Sequence, residues 1–187
     1  MKQRVFIAIN LPKTAKQALA AFIDQAKNLN PAPALRYVKP DGLHLTLHFL
    51  GDLEPSQIEA VSALLEKAVA DSPPAGLELT NIGGFPNLEQ PRVVVVNARQ
   101  TNGRSLTDIQ RTISDGLEQI GIVTDKRPWT PHLTLARVNG RTRFSTAGLD
   151  VPKLAIPVNS IELMESRLTP HGAEYSIIKS YDLKRET

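Results

Sequence analysis

The 187-residue sequence contains no cysteine and only four histidines. Without cysteine the chain has no disulfide framework, no thiolate nucleophile and no cysteine-ligated zinc site. No apolar run reaches the roughly 18 residues that a membrane-spanning helix needs, and the opening residues are typical of a strand rather than of a signal peptide. We therefore expect a cytoplasmic protein that does not contact a membrane.

The sequence also lacks a large excess of charge of one sign. It has 22 lysines and arginines against 19 aspartates and glutamates, a formal net charge of +3, which alone is weak evidence for nucleic-acid binding. A short or terminal anionic ligand stays a candidate. Hydrophobic residues at 41% and charged residues at 22% are close to globular averages, so the composition favours a compact unit over a disordered or fibrous one.

Alternation and helical periodicity predict an ordered series of helices and strands, with proline and glycine at their boundaries. The predicted helices are residues 12–29, 55–70 and 104–120, and the predicted strands are residues 4–10, 35–39, 43–50, 76–82, 92–98, 131–138, 154–168 and 174–183. No short-period repeat or flexible linker is present. The pattern predicts an α+β fold, mostly antiparallel sheets with helices on their outer faces.

The tetrapeptide His-Leu-Thr-Leu occurs twice, beginning at His44 and at His132, and so uses half of the histidines. Neighbouring side chains of a strand point to opposite faces, so His44 and Thr46 share one face while the leucines share the other. His132 and Thr134 repeat this arrangement. The copies lie about half the chain apart, which predicts two similarly built lobes facing each other. The alternative is a single sheet with accidental repetition.

Two imidazoles on opposite sides of one centre are suited to acid and base catalysis. An unperturbed histidine pKa of about 6.5 makes both protonation states accessible near neutral pH. Threonine hydroxyls on the same face can donate hydrogen bonds to phosphate oxygens, where charge must be stabilised as phosphorus reacts. The sequence therefore predicts a phosphodiester substrate and a mechanism that needs no metal ion and no cofactor.

The histidines also have interpretations other than catalysis. A leucine-rich tetrapeptide can recur by accident, and a single strand histidine is more often structural than catalytic. A zinc site is a further alternative, but neither motif supplies a second ligand at helical spacing. His44 and His48 would share a face of a regular strand, roughly 13 Å apart, which is too far for one metal ion. We therefore expect His48 at the rim or surface and His171 in a loop.

The sequence around the two motifs is more specific than the motifs themselves. Its distinctive runs are residues 4–12, residues 37–51, Gly83 to Pro86 with Pro91 to Val93, and residues 127–137. This ordered set resembles the two-histidine phosphoesterase superfamily and, within it, the RNA 2',3'-cyclic phosphodiesterases, also called 2'-5' RNA ligases. The resemblance covers nearly the whole chain. It implies that residues 1–187 form a single bilobal domain, two pseudo-symmetric lobes of mostly antiparallel sheet with outer helices around a central cleft.

The resemblance also implies an activity and roles for the motif residues. The activity is metal-independent hydrolysis of RNA 2',3'-cyclic phosphate ends, tRNA fragments included, to 2'-phosphomonoesters by a monomer. His44 would be the proton donor to the leaving 3' oxygen and His132 the proton acceptor from water, while Thr46 and Thr134 hold the phosphate. The reverse reaction, with a ribose 5'-hydroxyl in place of water, would join RNA ends through a 2'-5' linkage.

Residues beside the motifs are further candidates for substrate binding. Arg137 matches the family's arginine after the second motif, but strand alternation would turn it away with the leucines unless a bulge re-aims it, and an ion pair is the alternative. The same alternation predicts Phe49 in the core, whereas Trp129, in a polar loop, is a candidate for stacking on a base. Candidates for steering a phosphate backbone, against a default of solvated surface charge, are Arg36, Lys39 and Arg127.

Two other functions stay open at this point. An RNA-end binding module would keep the cleft and the phosphate contacts without turnover, although binding alone would be served as well by arginine as by a histidine pair. A related phosphodiesterase would act on small cyclic nucleotides or on ADP-ribose cyclic phosphate. Turnover of any cyclic phosphate separates the first alternative from an enzyme, and substrate length separates the second.

Overall fold

The computed structural model describes residues 1–103, 105–169 and 172–184, so the predicted loop position of His171 lies outside the described residues. The elements, in chain order, are β1 (Gln3–Asn10), α1 (Lys13–Leu29), β2 (Leu35–Tyr37), a 3-10 turn (Pro40–Gly42), β3 (His44–Leu53), α2 (Pro55–Val69), β4 (Ala75–Phe85), β5 (Val93–Asn102), α3 (Leu106–Gln119), β6 (His132–Val138), β7 (Ala155–Val158), β8 (Ser160–Thr169) and β9 (Gly172–Asp182). None of the helices within these ranges has the length and hydropathy to cross a membrane.

All the strands belong to one antiparallel sheet. Its order is β7-β4-β5-β6-β3-β1-β8-β9, and β2 pairs with β6 beside this path. The inner part of each half is built alike, because β1 leads through α1 to β3 just as β5 leads through α3 to β6. The two strands that carry the repeated tetrapeptide, β3 and β6, therefore meet at the centre. The predicted α+β fold with two pseudo-symmetric halves is confirmed.

The hydrophobic core lies between the helices and one face of this sheet. Each helix buries one apolar stripe at helical spacing, as with Leu19, Phe22, Ile23 and Ala26 on α1. Pro12 precedes α1 in an extended conformation, and Ser105 caps α3 by accepting a hydrogen bond from the Asp108 N–H at 3.2 Å. The helices cover one face only, so the opposite face is free to form a cleft.

Strand β3 contains a bulge within the first motif. Against β1, Thr46 lies opposite Ala8 and His48 lies opposite Ile7, so Leu47 is an extra residue. A bulge interrupts the alternation of side chains, and Leu47 and His48 are both buried as a result. The prediction that His48 lies at the rim is wrong: it is 5% exposed and its Nε2 lies 2.9 Å from the Gln110 carbonyl oxygen on α3.

Strand β6 has the same bulge at the same place in the second motif. Against β5, Thr134 lies opposite Val95 and Ala136 lies opposite Val94, so Leu135 is the extra residue. Leu135 and Ala136 are both buried, and the next residue, Arg137, returns to the face of His132 and Thr134. The two halves therefore match in the irregularity of their motif strands as well as in topology.

The predicted strand over residues 154–168 is wrong as a single element. The chain forms β7 and β8 instead, and they are separated at Asn159. They pair with opposite halves of the sheet, β7 with β4 and β8 with β1. Two consecutive strands can reach both halves only because the sheet curls, and the Asn159 carbonyl oxygen accepts a hydrogen bond from the Leu183 N–H at 2.7 Å at this crossing.

Packing at the joint between the two halves of the sheet should contribute to the stability of the protein. Leu133 is 1% exposed and pairs with Leu45 across β3 and β6, so Leu133→Ala leaves a cavity where the halves meet. We expect a loss of about 2–5 kcal/mol in the free energy of unfolding, measured by urea denaturation. Leu168→Ala is the control, because Leu168 is 74% exposed, and we expect it to cost less than about 1 kcal/mol. Equal losses in both variants would contradict a tightly packed joint.

Candidate active site

The register of the central strands brings the two motifs together. Leu45 pairs with Leu133 in the antiparallel pair, which sets Thr134 across from His44 and His132 across from Thr46. One recess is lined by residues from both motif strands and from neighbouring elements: Val38, Gly42, His44, Thr46, Phe49, Thr134, Arg137 and Tyr175. The charge of His132 also acts on His44. The predicted convergence of the two motifs on one site is therefore present in the structure.

Both imidazoles are held in the same way. Nδ1 of His44 lies 2.8 Å from the Gly42 carbonyl oxygen, and Nδ1 of His132 lies 2.7 Å from the Thr130 carbonyl oxygen. A carbonyl only accepts hydrogen bonds, so Nδ1 carries the proton in each ring. Nε2 is then the atom of each ring left for chemistry. When the ring is neutral, Nε2 can accept a proton, and when the ring is charged, Nε2–H can donate one.

The surroundings of His44 favour its neutral form. Its ring lies 4.9 Å from Phe6 and 4.9 Å from Tyr175, and Phe6 belongs to a small apolar cluster with Ala8 and Met164 on the cleft face. Burial lowers the pKa of His44 to about 4. The hydrogen bond to Gly42 opposes this shift, while the positive charges of Lys16, Arg137 and His132 add to it.

The surroundings of His132 are more open. The ring is half-buried, and its aromatic neighbour is Phe85 from the end of β4, with ring centroids 5.3 Å apart in an edge arrangement. Phe85 is itself 46% exposed. The two histidines thus have equivalent backbone hydrogen bonds but different environments, since His44 packs against the buried Phe6 ring and the partly buried Tyr175 ring, whereas His132 packs against the exposed Phe85 ring.

Arg137 and Phe49 both face the cleft. They occupy matching positions, two residues after the bulges of β6 and β3, and both line the recess. Regular alternation would turn Arg137 away from the cleft, but the bulge at Leu135 returns it to the cleft face. Its guanidinium lies near enough to lower the pKa of His44. The prediction that Phe49 packs in the core is wrong, because its side chain is 68% exposed.

Trp129 lies at the joint between the motif strands. Its Nε1–H donates a hydrogen bond to the Thr46 carbonyl oxygen at 2.9 Å, and its partly buried ring packs against the main core. The indole therefore ties the loop before β6 to β3. Arg127, two residues earlier, forms an ion pair with Asp125, whereas Lys39 is exposed just before the 3-10 turn.

Within the described residues, no group of three or more histidine, cysteine, aspartate or glutamate side chains is close enough together to hold a metal ion. Besides Val38 and Gly42, the residues that line the recess contribute aromatic rings, hydroxyl groups, an imidazole and a guanidinium. Hydroxyl and guanidinium groups donate hydrogen bonds to anionic oxygens, and an imidazole moves protons. The side-chain chemistry of the recess suits a phosphate group.

The model of the 2'-5' RNA ligase superfamily matches residues 15–169 of the sequence. The chain belongs to this superfamily. Among its relatives, the RNA 2',3'-cyclic phosphodiesterase of Thermus thermophilus is 30% identical over 98% of this chain and 91% of its own length. The RNA 2',3'-cyclic phosphodiesterase of Methanothermobacter thermautotrophicus is 28% identical over 98% of this chain and its entire length.

Two solved structures share the fold of this chain. The crystal structure of TT0787 from Thermus thermophilus superposes with a TM-score of 0.81 at 27% identity, covering 98% of this chain and all of that one. The crystal structure of Escherichia coli LigT complexed with 3'-AMP gives a TM-score of 0.79 at 27% identity, covering 99% of this chain and all of that one.

Three residues near the histidines were not among the site residues predicted from the sequence, although Phe85 lies in one of its distinctive runs. Tyr175 reaches His44 from β9, far along the chain, and Phe85 reaches His132 from the Gly83 to Pro86 run. Lys16 on α1 donates a hydrogen bond to the Asp41 carbonyl oxygen at 2.7 Å, beside the Gly42 carbonyl that holds His44. Lys16 is thus both a support of the 3-10 turn and a positive charge near the imidazole.

The pKa of His44 is directly testable by NMR titration of the imidazole signals. We expect a pKa near 4 in the wild-type protein, because burial disfavours the charged ring. Lys16→Met removes a positive charge that lowers this pKa, so the His44 pKa should rise in that variant. Lys13→Met, an exposed lysine one turn earlier on the same helix, is the matched control and should leave it unchanged. A downward shift in Lys16→Met would contradict the assignment.

Proposed function

We propose that this protein hydrolyses the 2',3'-cyclic phosphate at the end of an RNA strand to a 2'-phosphomonoester, by paired-histidine acid and base catalysis. The observation that carries the proposal is that the pairing of β3 with β6 sets His132 across from Thr46, beside a recess lined by His44, Thr46, Thr134 and Arg137. Each histidine uses Nδ1 for a backbone hydrogen bond, which leaves Nε2 for proton transfer. The names of the relatives support the same substrate class, an RNA 2',3'-cyclic phosphate.

In the proposed reaction the cyclic phosphate occupies the recess between the two motifs. Nε2 of His132 takes a proton from water, and the water oxygen attacks phosphorus. The bond from phosphorus to the 3' oxygen breaks, and Nε2–H of His44 protonates that oxygen. Thr46, Thr134 and Arg137 donate hydrogen bonds to the non-bridging oxygens, which stabilises the charge that develops there.

The low pKa of His44 constrains how it becomes an acid. In the free protein the ring is neutral at neutral pH, since its pKa is about 4. A phosphodiester brings a negative charge into the recess, and a nearby opposite charge favours the protonated ring. The substrate therefore raises the pKa of the group that must donate a proton to it. His44 gains its proton when the anionic substrate is bound.

The same site would catalyse ligation if a ribose 5'-hydroxyl attacked the cyclic phosphate in place of water. A ribose 5'-hydroxyl in the place of water would lose its proton to His132 and attack phosphorus. His44 would again protonate the leaving 3' oxygen, so phosphorus would stay bonded to the 2' oxygen and the joined ends would carry a 2'-5' linkage. Hydrolysis and ligation thus use one set of groups, and we propose that a single chain suffices because both motifs come from it.

The proposed mechanism predicts which product forms and that both histidines are needed for its formation. An oligoribonucleotide ending in a 2',3'-cyclic phosphate, incubated with the protein in excess chelator, should give a 2'-phosphate, identified by chromatography against 2'- and 3'-phosphate standards. His44→Ala and His132→Ala should each lower the rate by roughly 100-fold to 10,000-fold, the range for loss of a general acid or base.

The control for these variants is His48→Gln. His48 lies in the same strand but on the core side of the bulge, and glutamine keeps a donor for the Gln110 carbonyl oxygen. We expect that variant to retain nearly the wild-type rate if circular dichroism shows it folded. A 3'-phosphate product, a strict metal requirement or full turnover in either alanine variant would contradict the mechanism.

A second functional prediction separates the acid from the base. If the bridging 3' oxygen of the cyclic phosphate is replaced by sulfur, the leaving thiolate needs no proton, because thiols have pKa values near 8.5. This substrate should restore most of the rate lost in His44→Ala and none of that lost in His132→Ala, measured in single-turnover experiments. Rescue of His132→Ala alone would reverse the two roles.

A further inference from the structure

Two arginines lie opposite each other at one end of the cleft. Arg36 on β2 pairs with Arg137 on β6 in the antiparallel register. Residues paired in this way project from the same face of the sheet, with Cβ atoms about 5 Å apart. Arg137 lines the recess with His44 and Thr134, so Arg36 emerges on the cleft face beside it. Both side chains are exposed.

This juxtaposition is unfavourable without an anion. Like charges directly opposite each other destabilise a strand pair. Five other exposed arginines pair with carboxylates, whereas the exposed Arg4, Arg92 and Arg141 have no ion pair among the described residues; the pairs are Arg99 with Glu78, Arg111 with Asp108, Arg127 with Asp125, Arg143 with Glu89 and Arg167 with Glu165. Within residues 1–103, 105–169 and 172–184, neither Arg36 nor Arg137 has a carboxylate within ion-pair distance. The two guanidinium groups are therefore available to bind an anionic ligand.

We propose that Arg36, together with Arg137, forms a second phosphate subsite that binds the internucleotide phosphodiester on the 5' side of the terminal ribose. Guanidinium groups bind phosphate oxygens through paired, charge-assisted hydrogen bonds. Arg137 is shared between the terminal phosphate and this second phosphate, whereas Arg36 contacts the second one alone. The proposal rests on the proposed function, and it makes an RNA strand, rather than a mononucleotide, the preferred substrate.

The placement along β6 fits a strand of nucleic acid. From Thr134, across from His44, to Arg137 is three residues, at most roughly 10 Å along the strand and less with the bulge at Leu135. Arg36 lies on the β3 side of β6, because β2 and β3 both pair with that edge. The subsite is thus adjacent to the terminal phosphate. Contacts to the backbone position the strand without selecting a base.

The test compares Arg36→Met with the wild type on three substrates. These are a mononucleotide 2',3'-cyclic phosphate, a dinucleotide ending in the same group, and that dinucleotide with a neutral methylphosphonate linkage. We expect Arg36→Met to raise KM for the charged dinucleotide about tenfold with kcat unchanged, because the lost contact binds ground state and transition state alike. The mononucleotide and the methylphosphonate dinucleotide should show no change between the two proteins.

Arg111→Met is the matched control for loss of one positive charge. Arg111 is exposed on α3, which covers the face of the sheet opposite the cleft. It should leave all three substrates at wild-type values. An equal effect of Arg36→Met on the mononucleotide and the charged dinucleotide, or no effect on either, would overturn the subsite.

Failure of the proposed function is distinguishable from failure of the subsite. If the wild-type protein turns over no cyclic phosphate, equilibrium binding of a dinucleotide 2'-phosphate and of a mononucleotide 2'-phosphate replaces the kinetic comparison. Weaker binding of the dinucleotide alone in Arg36→Met supports the subsite even then. Binding of both ligands at wild-type affinity in that variant would overturn it.

Discussion

The antiparallel pairing of β3 and β6 through Leu45 and Leu133 is the contact on which the site depends. These leucines are buried at the joint between the two halves of the sheet, and their register decides which residues lie across the cleft face from one another. A slip of one residue would turn every side chain of a motif strand to the opposite face. Burial of the leucines therefore fixes the histidines and threonines on the cleft side.

The paired bulges then give the two halves different chemistry on the same backbone. Each motif strand inserts one extra leucine, Leu47 or Leu135, and returns the residue two positions later to the cleft. That residue is Phe49 in one half and Arg137 in the other. The aromatic ring of Phe49 thus occupies the position that the cation of Arg137 occupies in the other half. The two sides of the cleft therefore differ chemically, although their backbones are nearly symmetric. A substrate with a charged end and a flat base can distinguish the two sides.

The sequence sufficed for features that depend on local periodicity. The helix predicted over residues 12–29 is α1, and the shared face of His44 and Thr46 follows from alternation alone. The wrong assignments of His48 and Phe49 have one cause, because a bulge is set by the register of the partner strand. The break at Asn159 depends on the curl of the sheet. Tyr175 and Lys16 reach His44 only through tertiary packing, which no motif encodes.

The two histidines share the same backbone hydrogen bond but differ in their surroundings. Each Nδ1 donates to the carbonyl oxygen two residues earlier, so the motifs alone hold the two rings in the same way. Around His44, burial against Phe6 and Tyr175 and the charge of Lys16 disfavour a proton. Around His132 the neighbouring Phe85 is itself largely exposed. In the proposed mechanism the negative charge of the substrate stabilises the protonated His44 ring. His44 therefore becomes an acid only when the substrate is bound. In that mechanism, residues outside the repeated tetrapeptides, rather than the tetrapeptides themselves, give the two identical motifs different roles.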